Sequence, residues 1–79
     1  MKEKITELIH EINEYEDFED DTDLFENDIL DSMTLVLLIN NIEAELDVFI
    51  PEEIVTLANF ATVNKMVETV SSLSERTRS

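Results

Sequence analysis

The stretch Leu24-Phe25-Glu26-Asn27-Asp28-Ile29-Leu30-Asp31-Ser32-Met33-Thr34-Leu35-Val36-Leu37-Leu38-Ile39-Asn40-Asn41-Ile42 decides how the chain reads. It begins as an acidic, turn-like segment and ends as a strongly apolar one. At the junction stand Asp31 and Ser32, both residue types that cap a helix N-terminus. Beyond them Leu35, Leu38, Ile39, Ile42 and Leu46 recur at helical spacing and form an inward stripe, while Asn40, Asn41, Glu43 and Glu45 face outward. Met33, Val36 and Leu37 do not fit the inward stripe. The pattern predicts a helix over about 32–46.

Working toward the N-terminus, residues 15–31 are a long loop. Seven of the ten residues from Glu14 to Asp23 are acidic, and like charges at this density oppose a helix. Tyr15, Phe18, Leu24 and Phe25 are the exceptions and are expected to pin the loop to the rest of the protein. Before it, Ile5, Leu8, Ile9 and Ile12 keep the i, i+3, i+4, i+7 spacing of an amphipathic helix over about 2–14, with Glu3, Glu7, His10 and Glu14 on its other face.

Toward the C-terminus, Asp47-Val48-Phe49-Ile50-Pro51 is an extended connection, because proline pushes its predecessor out of helical geometry. Pro51-Glu52-Glu53 opens a short helix over about 52–58, with proline first and carboxylates in the first turn. Ile54, Val55, Leu57, Ala58 and Phe60 are its expected apolar contacts. Thr62 is an N-cap for a last helix over about 62–73, with Val63, Met66, Val67, Val70 and Leu73 inward; Ser74 to Ser79 is expected to fray. No strand signal competes. The expected fold is all-α: a small four-helix bundle of three main helices and one short one, in a single domain over 1–79. The chain contains no glycine, so Asn27, Asp28, Asp47 and Asn59 are the residues best able to adopt left-handed backbone.

Composition narrows the function. Seventy-nine residues make a small core with little room for a deep active site, and the absence of cysteine removes disulfides and thiolate metal sites. Five consecutive apolar residues, Leu35 to Ile39, fall far short of the roughly 20 that cross a bilayer. The N-terminal residues lead into an amphipathic pattern rather than a signal core, so a cytoplasmic protein is expected. Twenty acids face five bases, a net charge of −15, and no Lys or Arg lies between Lys4 and Lys65. Such a field repels nucleic acid and anionic membranes, attracts basic partner surfaces and favours a monomer.

Ser32 has three readings. As a nucleophile it would need a base; the only histidine is His10, and neither a G-x-S-x-G elbow nor any glycine for an oxyanion loop is present. As a helix cap it would be ordinary. As an attachment site it would place an anionic linkage at the positive end of a helix, on a reachable surface turn.

The surroundings favour the third reading, because the chain resembles the acyl and peptidyl carrier protein family along nearly its whole length. The family pattern L-F-x-x-G-I/L-L-D-S-L/M is matched by Leu24 to Met33. The pattern E-x-E-L/F-D-x-x-I/V-P is matched by Glu43-Ala44-Glu45-Leu46-Asp47-Val48-Phe49-Ile50-Pro51, and A/P-T-V/P by Ala61-Thr62-Val63. The stretch from Pro51 to Thr62 is longer than in fatty-acid carriers. It resembles stand-alone peptidyl carriers and the D-alanyl carriers of teichoic acid modification, whose W-x-T-P-N-K-I/M segment is echoed by Phe60-Ala61-Thr62-Val63-Asn64-Lys65-Met66.

The resemblance implies that Ser32 bears a covalent 4′-phosphopantetheine taken from coenzyme A by a phosphopantetheinyl transferase. A ligase or synthase would load an acyl or aminoacyl group as a thioester on the arm, and downstream transferases would draw on it. The protein would be no enzyme itself. Asp31, Met33, Val36, Leu37, Asn40 and Glu43 are the expected partner-recognition residues. Asp28 departs from the family glycine, and the outer face of the second helix is less acidic than in fatty-acid carriers.

Two other functions compete. The acidic loop lacks the D-x-D/N-x-D/N-G pattern of a calcium loop, and no metal site is expected. A non-covalent acidic helical adaptor would explain charge and size, but not an Asp-Ser pair between a loop and an apolar helix.

Overall fold

A computed structural model describes residues 1–14 and 17–78, with side chains as far as Leu73. Its helices are α1 (Lys2–Ile12), α2 (Ser32–Leu46), α3 (Leu57–Phe60) and α4 (Val63–Arg78), with a 3₁₀ turn at Glu52–Ile54 before α3. No strand occurs among the described residues. The all-α bundle of three main helices and one short one agrees with the expectation from sequence. Helix α1 packs against both α2 and α4, and α3 packs against α4.

The core is the set of stripes that helical spacing selected. Ile5, Leu8 and Ile9 come from α1, Leu35, Leu38, Ile39 and Ile42 from α2, and Val63, Met66, Val70 and Leu73 from α4. Phe60, completely buried, anchors the four-residue α3, which is too short to persist on propensity alone. Leu24, Ile29, Leu30 and Ile50 complete the core from the connecting segments.

Several boundaries differ from the expected ones for identifiable reasons. Helix α1 ends at Ile12 rather than 14, because Asn13 leaves helical geometry (φ −138°, ψ 79°) and its side-chain amide donates to the Ile29 carbonyl at 3.3 Å. The single helix expected over 52–58 is broken at Val55 and Thr56. Thr56 is extended, and its hydroxyl accepts the Asn59 N–H, while the Asn59 amide donates back to the Ile54 carbonyl at 2.8 Å. Local side-chain bonding of this kind competes with continuous helix. The break leaves Leu57 and Ala58 exposed, contrary to their expected core role. Helix α4 begins where Thr62 accepts the Lys65 N–H at 3.1 Å, and it continues to Arg78 because nothing from Ser74 onward breaks a helix.

The long loop is tied down at several points. Lys2 pairs with Asp20 at 2.9 Å, the Asp20 carbonyl accepts the Asn64 N–H at 3.1 Å, and Phe18 stacks on His10 with ring centroids 4.8 Å apart. His10, expected on the outer face of α1, is therefore half-covered. Tyr15, expected to pin the loop, lies outside the described residues.

From Asp23 to Ile29 the loop makes one helical turn with a cap at each end. Asp23 Oδ1 accepts the N–H groups of Phe25 and Glu26. At the far end Asp28 takes left-handed backbone (φ 56°), its N–H donates to the Phe25 carbonyl, and the Ile29 N–H reaches back to the Leu24 carbonyl at 2.8 Å. These paired bonds, with Leu24 and Ile29 both buried, make the Schellman arrangement that usually ends on glycine. Asp28 thus performs the turn in place of the family glycine. Asp47 also takes left-handed backbone, at the end of α2 (φ 53°), whereas Asn27 and Asn59 do not have positive φ.

Left-handed backbone costs an ordinary L-residue about 1–2 kcal/mol, less for Asp, and glycine escapes that cost at about 0.5–1 kcal/mol of extra unfolded-state entropy. Asp28→Gly is therefore expected to be neutral or stabilising by up to about 1 kcal/mol, and Asp28→Val destabilising by about 1–3 kcal/mol, in urea unfolding. A valine variant as stable as the parent would contradict the geometry.

Candidate functional site

The site is the mouth of α2. Of the two capping candidates, Asp31 is the N-cap: its backbone is extended, and its carboxylate Oδ1 accepts the Thr34 N–H at 2.9 Å. Thr34 returns the bond, its Oγ1 accepting the Asp31 N–H at 2.7 Å and lying 3.1 Å from Asp31 Oδ1. The Asp31 carbonyl accepts the Leu35 N–H at 2.8 Å. This is a reciprocal capping box with threonine in the position that Glu or Gln usually fills. The Thr34 N–H, followed by its hydroxyl, holds the Asp31 carboxyl below the usual carboxylate range, so it is ionised at neutral pH.

Ser32 is left with nothing to cap. It is the first residue of α2 and exposed, and its hydroxyl takes no hydrogen bond among the described residues. Its N–H likewise has no protein acceptor there. Helix α2 has neither a carboxylate within its first turn nor a base in its last, so the unpaired N–H and the helix dipole face outward uncancelled except by Asp31. His10, the only imidazole, is stacked on Phe18 instead. The geometry presents an exposed hydroxyl with no hydrogen-bonded base beside it among the described residues.

These features fit a phosphopantetheine arm. A phosphodiester needs a reachable hydroxyl and profits from unpaired N–H groups at a helix start, and both are present. The turn Asp23–Ile29 fixes how the chain enters, since the Leu24 carbonyl accepts both the Ile29 and Leu30 N–H groups and Leu30 immediately precedes Asp31.

The remaining expected recognition residues divide. Met33, next to Ser32, is 80% exposed, and Val36 and Leu37, one turn on, are 57% and 55% exposed; together they make an apolar strip that Asn40 continues as an exposed polar residue. Glu43 is different. Its Oε2 accepts the Ile50 N–H at 2.8 Å, which closes the connection after α2 and seats Ile50 in the core. One of its carboxylate oxygens is thus engaged within the chain, and the residue is half-buried.

Two features escaped sequence reading. Thr34 was not singled out, although D-x-x-T is a reciprocal capping pattern as much as S-x-x-E. Phe49, 74% exposed, follows from alternation in the extended segment: Val48 and Ile50 turn inward and Phe49 outward.

Comparison with known proteins agrees with this geometry. Residues 3–70 match the family model for a phosphopantetheine attachment site. The chain is 34% identical over 77 residues to the D-alanyl carrier protein of Lactococcus lactis subsp. cremoris (strain MG1363), covering 95% of this chain and 98% of that one. It is 35% identical over 72 residues to the D-alanyl carrier protein of Lactococcus lactis subsp. lactis (strain IL1403), covering 89% and 91%. An exposed, unbonded serine hydroxyl at the start of a helix, a turn that delivers the chain to it, and a match over most of the length lead to one conclusion: the chain belongs to the phosphopantetheine attachment family, and it is a carrier that holds its cargo on a covalently bound 4′-phosphopantetheine.

Proposed function

We propose that Ser32 Oγ is the attachment point and that the cargo is an amino acid, D-alanine. The single observation that carries the first part is that Asp31, not Ser32, caps α2, which leaves the serine hydroxyl unpaired and exposed. The second part is supported by the name that the curated relatives share, D-alanyl carrier protein, and by their coverage of nearly the full chain.

In the modification step, Ser32 Oγ attacks the coenzyme A phosphorus that bears the pantetheine. A new Oγ–P bond forms, the pyrophosphate P–O bond breaks, adenosine 3′,5′-bisphosphate leaves, and the hydroxyl proton passes to a base of the transferase. When bound, the arm supplies a terminal thiol on which a carboxylic acid is held as a thioester. The residues of the chain position and present. Asp31, ionised and held by Thr34, faces the transferase's metal or a basic side chain. Met33, Val36 and Leu37 give an apolar strip for docking, and Asn40 borders it.

The surrounding negative charge steers partners with basic rims at a salt-dependent rate. A ligase or synthase loads D-alanine onto the arm, and a downstream transferase takes the amino acid off. The chain performs no catalysis of its own and works in the cytoplasm. No helix among the described residues is long and apolar enough to cross a membrane. The rival reading, a non-covalent acidic adaptor, has the charge in its favour and no observation at Ser32.

Incubation with coenzyme A and a broad-specificity phosphopantetheinyl transferase is expected to add one phosphopantetheine to the intact mass, and nothing to Ser32→Ala. The loaded form is then expected to accept D-alanine from the ligase in preference to L-alanine or a fatty acid. An unmodified parent protein with its helical circular dichroism intact would support the adaptor.

Asp31→Asn keeps a capping side chain but removes the charge. It is expected to slow modification while leaving the helix content unchanged, and an unaltered rate would remove Asp31 from recognition. Leu37→Glu places a charge in the exposed strip, where substitutions usually change stability by less than about 0.5 kcal/mol. It is expected to raise the transferase or ligase KM with little change in unfolding midpoint; unchanged KM values for both enzymes would remove the strip from docking.

A further inference from the structure

Thr34 makes no contact that a bound arm would need, yet it organises both neighbours of the hydroxyl. Its Oγ1 accepts the Asp31 N–H at 2.7 Å, lies 3.1 Å from the Asp31 carbonyl and 3.1 Å from Asp31 Oδ1, and its own N–H donates to Oδ1 at 2.9 Å. The Asp31 carboxylate is thereby held by one oxygen. The Met33 N–H adds to this hold on the carboxylate, and Asp31 is exposed, so an incoming partner can reach it. Thr34 is half-buried, so its hydroxyl is fixed by the fold rather than wandering in solvent.

Without this hydroxyl two things change together. The Asp31 N–H loses its acceptor, and the carboxylate, released from one of its donors, is freer to turn over the unpaired N–H groups at the start of α2, of which that of Met33 already acts on it. That rotation would place negative charge where the anionic reaction centre has to sit. Holding Asp31 back along the helix keeps the Ser32 N–H open for that centre.

We propose that Thr34 is a positioning residue for the modification of this carrier: its hydroxyl locks the Asp31 carboxylate in the capping geometry, so that Asp31 presents its carboxylate to the transferase while the Ser32 hydroxyl and N–H stay free. The role rests on Ser32 being the attachment point. It acts through Asp31 and not on the reacting atoms, and it makes residue 34 a determinant of how fast this chain is modified, independent of how stable it is.

The test compares four full-length proteins: the parent, Thr34→Val, Thr34→Ser and Thr62→Val. The last removes the equivalent cap hydroxyl from α4, where Thr62 accepts the Lys65 N–H at 3.1 Å, and serves as a control for loss of a helix cap far from Ser32 in sequence. Each is incubated with coenzyme A and the transferase, and the rate of mass gain is measured across protein concentration. The Asp31 carboxyl is followed by NMR through a pH titration.

Losing a hydrogen bond of ordinary net strength corresponds to about a three- to tenfold effect. Thr34→Val is expected to lose that much kcat/KM, with the Asp31 titration moving up toward the ordinary carboxylate range. Thr34→Ser is expected to restore both, and Thr62→Val to leave both at parent values. A Thr34→Val protein modified at the parent rate, or a Thr62→Val protein slowed as much, would overturn the positioning role while the parent's own mass gain still supports Ser32. A parent protein that gains no mass would overturn both readings.

Discussion

The backbone of Leu24 is the joint on which the molecule turns. Its N–H donates to the Ala61 carbonyl at 2.8 Å, tying the loop to the point where α3 hands over to α4. Its carbonyl accepts from Ile29 and Leu30, and its side chain is completely buried. One residue therefore couples the last helix, the core and the turn that leads into Asp31 and Ser32. A loop of this length would otherwise be free to place Ser32 anywhere within reach, because closing it costs entropy that only such fixed points offset. The cap box at Asp31 and Thr34 then fixes where α2 begins, and with it the backbone of Ser32.

Charge sets a second constraint. A net charge of −15 on 79 residues works against compactness, and the ion pairs among the described residues are largely exposed ones of small worth: the N-terminal amine with Glu3, Lys2 with Asp20, Lys4 with Glu7 and Glu45, Lys65 with Glu68. Hydrophobic burial must therefore carry the fold almost alone. The exposed apolar residues on α2 then stand out as surface left outside the core. Met33, Val36 and Leu37 add nothing to the core, and burying them against a partner is the use that a carrier would have for them.

Much of this was legible in the sequence because periodicity reports burial directly. Ile5, Leu8 and Ile9, the α2 stripe and the α4 stripe all face inward as their spacing requires, and the leftover position of Met33, Val36 and Leu37 translated into exposure. The resemblance to carrier proteins identified the family, and two of the four residues expected to tolerate left-handed backbone, Asp28 and Asp47, adopt it, while Asn27 and Asn59 do not. What sequence did not disclose was decided by side chains that bond to nearby backbone. Thr56 and Asn59 split a segment that looked like one helix, Asn13 shortened α1, and Glu43 turned to its own chain instead of outward. Such bonds have no period, and each competes with helix at one position only. The choice between Asp31 and Ser32 as cap was of the same kind, and it matters most: the residue that caps is not the residue proposed to carry the arm.

The account stands on the identity of the modified atom. After enzymatic modification, proteolysis and fragment-ion mass spectrometry would locate the added phosphopantetheine. The account predicts that all of it resides on Ser32, with none on Thr34, Ser71 or Ser72. An arm found on another hydroxyl, or a Ser32 peptide recovered wholly unmodified from a modified protein, would contradict it.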